Sequence, residues 1–232
     1  MRARVATLVI IGAVAALVAL GVTDQVIPAT DERTLSVRPW VAARALGITA
    51  YLLLALQVAA GVWLSHPRNA SDPRTNRVVF PWHELLTVFT GAFLTLHIVL
   101  LAVDPYAGVY WIGAFVPGFS QYRPVPVAIG SVALYAMIIT AATAKWTRLL
   151  PAGWWLKFHR LTALVFLMAW VHGILAGTDT MALLPLYLLT GGLVLLGIAH
   201  RWWSTIGADQ RSPAATAPSR RPGPATVSEE SR

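Results

Sequence analysis

The sequence predicts an all-α integral membrane protein, a bundle of six transmembrane helices. Of its 232 residues, 56% are hydrophobic and 12% are charged, about half the charged fraction of soluble domains. The mean hydropathy is +0.62, and the apolar residues occur in blocks of about twenty, which is the length that crosses a hydrocarbon core. In lipid such blocks form helices, because each backbone polar group must be hydrogen-bonded within its own segment. The alternation expected of strands in a membrane barrel is not visible.

Six apolar segments are each long enough to span a membrane as a helix. They comprise residues 5–22, 41–64, 82–103, 125–144, 158–176 and 182–199. Arg2 and Arg4 before the first segment are also typical of a signal peptide. However, this segment is longer than the usual apolar part of a signal peptide, and no convincing cleavage site precedes Thr23. We therefore expect the first helix to be retained.

Composition divides the chain into three parts. Residues 1–40 hold the first helix and an outer loop, and residues 41–203 hold the rest of the bundle. Residues 204–232 are rich in Ser, Pro, Ala, Arg and Glu, so we expect a disordered cytoplasmic tail that buries too little apolar surface to fold. No glycine-rich dinucleotide fingerprint is present, so the chain is not expected to bind a flavin or nicotinamide itself.

The basic residues predict the orientation in the membrane. Fourteen of the 18 Lys and Arg residues belong to the N-terminus, the loops after the second and fourth segments, and the tail. By the positive-inside rule both termini are cytoplasmic, which agrees with an even number of crossings. Tryptophans concentrate at the predicted interfaces, where their rings face both lipid and headgroups. We expect a multi-pass protein of the plasma membrane, in contact with lipid, whose net charge of +8 marks cytoplasmic loops rather than a nucleic-acid surface.

Four of the six histidines lie inside apolar segments. His83 and His97 are in the third segment, and His159 and His172 are in the fifth. Ionisable residues inside a span are energetically costly and by default indicate function. At 1.5 Å per residue, their spacings correspond to about 21 and 20 Å along the two helices. Because both segments run from the inner to the outer side, His83 is level with His159, and His97 is level with His172.

Two haems, one above the other, fit this arrangement, each with one axial imidazole from either helix. The absence of cysteine excludes iron–sulfur clusters, thiolate-bound haem and covalently attached haem. A zinc or copper site needs ligands within a few ångströms of one another, whereas the two pairs are about 20 Å apart. A di-iron site needs several buried acids, and these segments contain only Glu84.

A regular helix does not account for the fifth segment. Fourteen residues at 100° each return to within about 40° of the same face, but thirteen leave a rotation of about 140°. The segment must therefore bend, contain a π-bulge, or meet its two haems from different sides.

The histidine pattern resembles that of the ferric reductase-like transmembrane domain family over residues 41–201. The pattern is His83-x13-His97 and His159-x12-His172, with Arg160 following His159. The family includes ferric reductases, NADPH oxidases and the haem subunit of a bacterial methionine sulfoxide reductase system. The resemblance implies a six-helix bundle with two stacked haems b, which moves single electrons outward from a cytoplasmic donor.

The resemblance also implies a role for Arg44, which matches a family arginine over the outer haem. A cation there would pair with a haem propionate or attract an anionic acceptor; the alternative is that Arg44 only extends to the outer interface. Lys157 and Arg160 flank His159, where they would bind inner propionates or an acidic partner. Positive-inside topology alone would also put charges there.

The chain departs from these relatives in two ways. It lacks the flavin and nicotinamide domain of the oxidases and eukaryotic ferric reductases, so these cofactors would act only through a partner. It also has His83, whereas the sulfoxide reductase subunit has an incomplete histidine set at that position. The resemblance thus implies a free-standing core with two haems, whose donor is a separate cytoplasmic flavoprotein or a quinol.

Ferric iron outside the cell is the leading acceptor. The alternatives are electron delivery to a separate extracytoplasmic reductase of the methionine sulfoxide type or to oxygen, a non-catalytic haem carrier or sensor, and a scaffold without cofactor. Residues 104–122, rich in aromatics, are expected either to cover the outer haem or to rest among headgroups. His66 and His200 are expected to be surface imidazoles, and Glu84 either a proton relay or half of an ion pair.

Overall fold

The computed structural model describes residues 32–66, 69, 72–151 and 153–209, with five isolated positions between residues 10 and 21. Across these residues the secondary structure is helical and contains no strand. Five helices are long and apolar enough to cross a membrane: Leu35–Ser65, Pro73–Val103, Pro124–Lys145, Trp154–Ala176 and Thr180–Ser204. The prediction of an all-α, multi-pass membrane protein is confirmed to this extent. The predicted crossing at residues 5–22 and the tail after residue 209 lie outside the described residues, apart from the five isolated positions.

Within the described residues from 32 to 209, seven α-helices follow one another. They are α1 (Glu32–Ser65), α2 (Pro73–Val103), α3 (Tyr110–Phe115), α4 (Pro124–Lys145), α5 (Trp154–His159), α6 (Thr162–Ala176) and α7 (Thr180–Asp209). The longest helices extend beyond the predicted apolar segments, because polar and aromatic residues at their ends remain helical. In particular, α7 continues to Asp209, so residues 204–209 of the predicted tail are helical.

The start of α2 is set by Asp72 and Pro73. The Asp72 carboxylate accepts hydrogen bonds from the backbone N–H groups of Arg74 (3.0 Å) and Thr75 (3.3 Å), and from the Thr75 hydroxyl (2.8 Å). Pro73 occupies a first-turn position, where no intrahelical donor is needed. The Thr75 hydroxyl and then the Arg74 N–H hold the pKa of Asp72 below its ordinary value.

The long helices pair into two antiparallel hairpins, which position the histidines. In one hairpin α1 packs along α2, and in the other α4 packs along α6. α7 packs against α1 and α6. The core between α1, α6 and α7 includes Tyr51, Phe166 and Tyr187, and Phe166 is fully buried. Large apolar side chains on the outer faces, such as Leu196, are exposed, as lipid-facing helices require.

The fifth predicted segment is interrupted directly after His159, between α5 and α6. The Leu161 N–H bonds to the Phe158 carbonyl (3.0 Å) and the Ala163 N–H to the Arg160 carbonyl (3.3 Å), both three residues back. Residues in such a 3₁₀ turn advance by about 120° each rather than about 100°. The turn therefore supplies part of the rotation that a regular helix lacks between the two histidines. The departure from a regular helix here is a 3₁₀ turn rather than the π-bulge named among the predicted alternatives.

Candidate functional site

The four histidines of the predicted pairs lie between helices. His83 and His97 on α2 hydrogen-bond to backbone atoms of α1, and His172 on α6 to a backbone atom of α4. His159 is the last residue of α5 and is partly buried. We call the end of the bundle near His83 the inner end, after the charge distribution, and the end near His97 the outer end.

At the inner end, the rings of His83 on α2 and His159 on α5 lie close together, edge to face. Their centroids are 6.0 Å apart and their planes are 77° apart. Metal–imidazole bonds are about 2 Å long and the ring centroid lies about 1 Å further, so two imidazoles on opposite sides of one metal ion have centroids about 6 Å apart. The observed separation therefore suits a single metal ion held between the two rings.

At the outer end, His97 and His172 line one cavity of about 200 Å³. Most of its wall is apolar, and α1, α2, α4, α6 and α7 all contribute to it. The few polar groups include Arg44, Tyr122 and Tyr187. A cavity that combines an apolar wall with two convergent imidazoles is the usual form of a cofactor site between helices.

Three of the four histidines direct Nδ1 at a backbone carbonyl oxygen. The distances are 3.1 Å from His83 to Gln57, 2.6 Å from His97 to Ala43, and 2.8 Å from His172 to Pro126. A carbonyl oxygen only accepts, so this contact assigns the proton to Nδ1, and in the neutral ring Nε2 keeps its lone pair. Metal-binding histidines usually have this second hydrogen bond, which fixes the tautomer and the orientation of the ring.

His159 differs from the other three. Its Nδ1 is buried and has no hydrogen-bond partner among the described residues. Its ring contacts Trp155 at a centroid distance of 6.1 Å, and its carbonyl oxygen accepts from the Thr162 hydroxyl at 2.7 Å. The backbone of His159 is thus held at the break between α5 and α6, while its ring lacks the polar contact that orients the others.

The two predicted arginines have different surroundings. Arg44 forms an ion pair with Asp179 in the link between α6 and α7, and its guanidinium lies 4.5 Å from the centroid of the Trp40 ring. Because Arg44 also lines the outer cavity, it is close to His97 and His172 rather than only at the interface. Arg160 is exposed beside His159 at the inner end. Nearby, the Lys157 ammonium lies over the Trp154 ring, 4.9 Å from its centroid.

The donor set fits haem better than a free metal ion. Among the described residues no group of three or more His, Asp or Glu side chains is placed to hold a metal. Two imidazoles alone would leave zinc or copper without the further protein ligands that these ions require. A porphyrin supplies four equatorial nitrogens itself, so one imidazole on each face completes the coordination of its iron.

The segment from 104 to 122 contributes to the outer cavity only in part. Tyr122 lines the cavity, and its hydroxyl donates to the Ala176 carbonyl at 2.8 Å. The other aromatics of this segment are exposed, with Trp111 stacked on Phe115. Tyr122 is thus placed to cover the outer cavity, whereas the exposed aromatics are placed where they could rest among headgroups.

The remaining predicted residues lie outside the two pairs. His66, directly after α1, and His200 on α7 stack on each other at the inner end, with centroids 5.2 Å and planes 12° apart. His200 is exposed and His66 is partly buried. Glu84 is exposed.

Sequence reasoning missed the carbonyl partners of the histidines, the acidic partner of Arg44, and three glycines that contact the rings. Asp179 lies in a short link between two spans, where an isolated acid carries no signal. A signal did exist for two of the glycines: Gly47 and Gly61 on α1 are spaced by the same fourteen residues as His83 and His97 on α2. The matching intervals indicate a repeated contact between two antiparallel helices.

Comparison of the chain with protein families, with curated proteins and with solved structures finds no match. The resemblance to the ferric reductase-like family stays a prediction from the histidine spacing.

Proposed function

We propose that this chain is a transmembrane cytochrome b that binds two haems and relays single electrons from a cytoplasmic-side donor to ferric iron on the outer side. One observation carries the proposal: the four span histidines lie two at each end of the bundle, His83 beside His159 and His97 with His172 around one cavity. Three of these histidines have Nε2 free to ligate because Nδ1 bonds to a carbonyl. We infer that the protein lies in the plasma membrane with both termini inside.

The residues divide between holding iron and setting its surroundings. His83 and His159 would supply the axial ligands of the inner haem, and His97 and His172 those of the outer haem. With both axial positions filled, the bound haem supplies one-electron redox chemistry rather than a site for ligands at iron. Phe166, between His159 and His172 in sequence, belongs to a packed apolar core that would limit water between the two levels.

The outer end supports reduction of a small acceptor. The outer cavity is near Arg44, whose positive charge attracts a haem propionate or an anionic iron chelate. At the inner end, Lys157 and Arg160 are exposed beside His159 and offer positive charge to an acidic flavoprotein donor. A quinol is the other donor that we consider, because the chain is embedded in lipid.

A second candidate is delivery of electrons to a separate extracytoplasmic reductase, as in methionine sulfoxide reductase systems. The observation that favours it is the row of exposed aromatics at the outer end, among them Trp111 and Phe119, which are 52% and 62% exposed. Aromatic side chains are enriched in protein–protein interfaces. This candidate predicts that the isolated chain reduces ferric chelates poorly and that a partner enzyme restores the electron flow.

The proposal is tested with the purified haem-loaded protein in sealed vesicles, with a reduced flavoprotein enclosed as donor and ferric citrate outside. We expect ferrous iron to appear outside at a rate proportional to the amount of protein. The variant His97→Ala should abolish this flux, while His200→Ala, an exposed histidine outside the pairs, should retain it. If loaded vesicles are no faster than empty ones with either ferric citrate or ferricyanide outside, the proposal is wrong.

A further inference from the structure

A glycine on the neighbouring helix lies against three of the four histidine rings. A Cβ added at Gly47 would lie 2.7 Å from the ring of His97, and one added at Gly130 would lie 2.7 Å from the ring of His172. At Gly61 the corresponding distance to the ring of His83 is 3.3 Å. The first two positions exclude any side chain unless the ring moves, while the third tolerates a methyl group if the ring shifts by a few tenths of an ångström.

Each of these glycines lies at the same sequence distance from the residue whose carbonyl the histidine contacts. Ala43, Gln57 and Pro126, whose carbonyls face the three Nδ1 atoms, are each four residues before the glycine. In an α-helix the carbonyl of residue i−4 accepts from the N–H of residue i, so it lies beside the Cβ position of residue i. A side chain at that position covers the carbonyl, and a glycine leaves it open to a second donor from another helix.

We propose that Gly47, Gly61 and Gly130 are positioning residues: each opens a notch in which an imidazole reaches the carbonyl four residues earlier and so presents Nε2 to a haem. The inference depends on the proposed function only for the identity of the group that Nε2 binds. It deepens that function, because it explains how a helix orients a ligand that another helix carries.

Two of the three notches lie on α1 and share one packing register with α2. Gly47 and Gly61 are fourteen residues apart, as are His83 and His97, and the two helices are antiparallel. One packing register therefore places both rings of α2 against both notches of α1. Gly130 on α4 provides the equivalent notch for His172 in the second hairpin.

No glycine contact of this kind is present for His159, and its Nδ1 has no partner among the described residues. The inner site thus has one oriented ligand, whereas the outer site has two. Because an orienting hydrogen bond raises ligand basicity and affinity, the inner site would hold its haem less tightly. In a transfer experiment with excess apomyoglobin as acceptor, the inner haem should leave the protein first. The spectrum of the inner haem is identified as the part that is missing in the variant His83→Ala.

Alanine substitutions test the notches one at a time. We expect Gly47→Ala and Gly130→Ala to lower outer-haem affinity by about 10- to 100-fold, the usual loss on disturbing a second hydrogen bond of a metal-binding histidine. Gly61→Ala should change only the inner haem, and by less, because its contact is longer. Haem per chain and the low-spin absorption and electron paramagnetic resonance spectra measure the effect at each site.

The chain offers matched controls. Gly91 lies on α2 midway between His83 and His97, and Gly192 lies on α7; a Cβ at either position meets nothing within 4 Å. Gly91→Ala and Gly192→Ala should keep both haems with unchanged spectra. If Gly47→Ala and Gly130→Ala bind both haems as the controls do, or if all five variants lose haem alike, the notch proposal is wrong.

A second readout does not require haem. In the haem-free protein, nitrogen-15 spectra of labelled histidine distinguish Nδ1–H from Nε2–H rings. We expect three span histidines to be Nδ1–H, Gly47→Ala to remove that signature from His97, and Gly61→Ala to weaken it at His83. If Gly47→Ala does not fold, Gly61→Ala tests the notch proposal, because its added methyl group lies farthest from the ring, at 3.3 Å. A wild-type protein without haem would refute the proposed function, while these spectra would still decide on the notches.

Discussion

An imidazole inside a membrane span is tolerated when its polar atoms have partners. The Nδ1 of His97 lies 2.6 Å from the carbonyl of Ala43, so half of its hydrogen-bonding capacity is satisfied within the protein. The unprotonated Nε2 is then the atom available to bind a ligand. Leaving it without a partner in an apolar environment would cost free energy. The same reasoning applies to His172, whose Nδ1 bonds to Pro126.

The variants His97→Ala and His172→Ala should each remove the outer haem and leave the inner haem in place. The reason is that the inner pair is carried by α2 and α5 and the outer pair by α2 and α6, with no shared ligand. Haem per chain and resolved reduced spectra measure this. Retention of both haems in either variant would overturn the pairing, and the exposed histidine variant His200→Ala serves as the control.

The ion pair between Arg44 and Asp179 predicts a preference among acceptors. In Asp179→Asn the guanidinium loses its competing carboxylate, so an anionic chelate at the outer cavity should bind more tightly. A partly exposed charge contact of about 1 kcal/mol corresponds to about a fivefold lower KM for ferric citrate. The KM for a neutral acceptor should not change.

Asp72→Asn, at the inner end, is the matched control, since Asn also caps a helix. If Asp179→Asn leaves the KM for ferric citrate unchanged or raises it, Arg44 does not take part in attracting the acceptor.

The sequence revealed the four histidines because an ionisable residue in a span is rare enough to indicate a role. It did not reveal Asp179, because acids in short links are common, or Gly130, because a single glycine in an apolar helix has no periodic partner. The contacts of such residues arise from packing between segments distant in sequence.

The break between α5 and α6 could be predicted from the sequence only in part. The thirteen-residue spacing predicted either a departure from a regular helix or two haems met from different sides of the helix. The position of the break was not predictable, because the turn at Arg160 and Leu161 contains neither proline nor glycine. The break is visible only in the three-residue hydrogen bonds around it and in the contact of the Thr162 hydroxyl with the His159 carbonyl.

The helix boundaries show a similar division. Apolar segments located the centre of each described span correctly, but α1 begins at Glu32 rather than at residue 41, and α2 begins at Pro73 rather than at residue 82. Hydropathy reports where lipid surrounds a helix and not where its hydrogen bonds end. The cap at Asp72 defines the true start of α2.

The link between α3 and α4 should contribute measurably to stability through Tyr122. Its hydroxyl bonds to the carbonyl of Ala176 at the end of α6, so Tyr122→Phe removes one hydrogen bond between the outer segment and the bundle. We expect a loss of about 1 kcal/mol, or about 2–4 °C in Tm. Thermal unfolding in detergent measures it, with Tyr106→Phe, an exposed tyrosine of the same segment, as control; equal Tm values for the two variants would contradict the role of this bond.

Electron transfer from the cytoplasmic side to the outer side requires that the whole molecule has one fixed orientation in the membrane. The chain has no cysteine, so a single introduced cysteine reports its side without interference. Thr147 lies in the connection between α4 and α5, which the basic residues place inside, and Gln121 lies in the segment between α2 and α4, which they place outside; both are exposed.

In intact cells an impermeant maleimide should label Gln121→Cys and should not label Thr147→Cys until the membrane is opened. This result follows from the concentration of Lys and Arg on one side of the bundle. The reverse pattern would invert the direction of electron flow, and labelling of both variants in intact cells would refute the predicted topology.

The central claim is that the bundle holds two haems, and the most direct measurement is a haem count on purified protein. The reduced-minus-oxidised absorption spectrum, with haem quantified per chain as its pyridine adduct, gives both type and number. We predict a b-type spectrum with two haems per chain, because two imidazole pairs are present and no cysteine is available for covalent attachment. Protein that contains no haem after expression with added haem would contradict the claim.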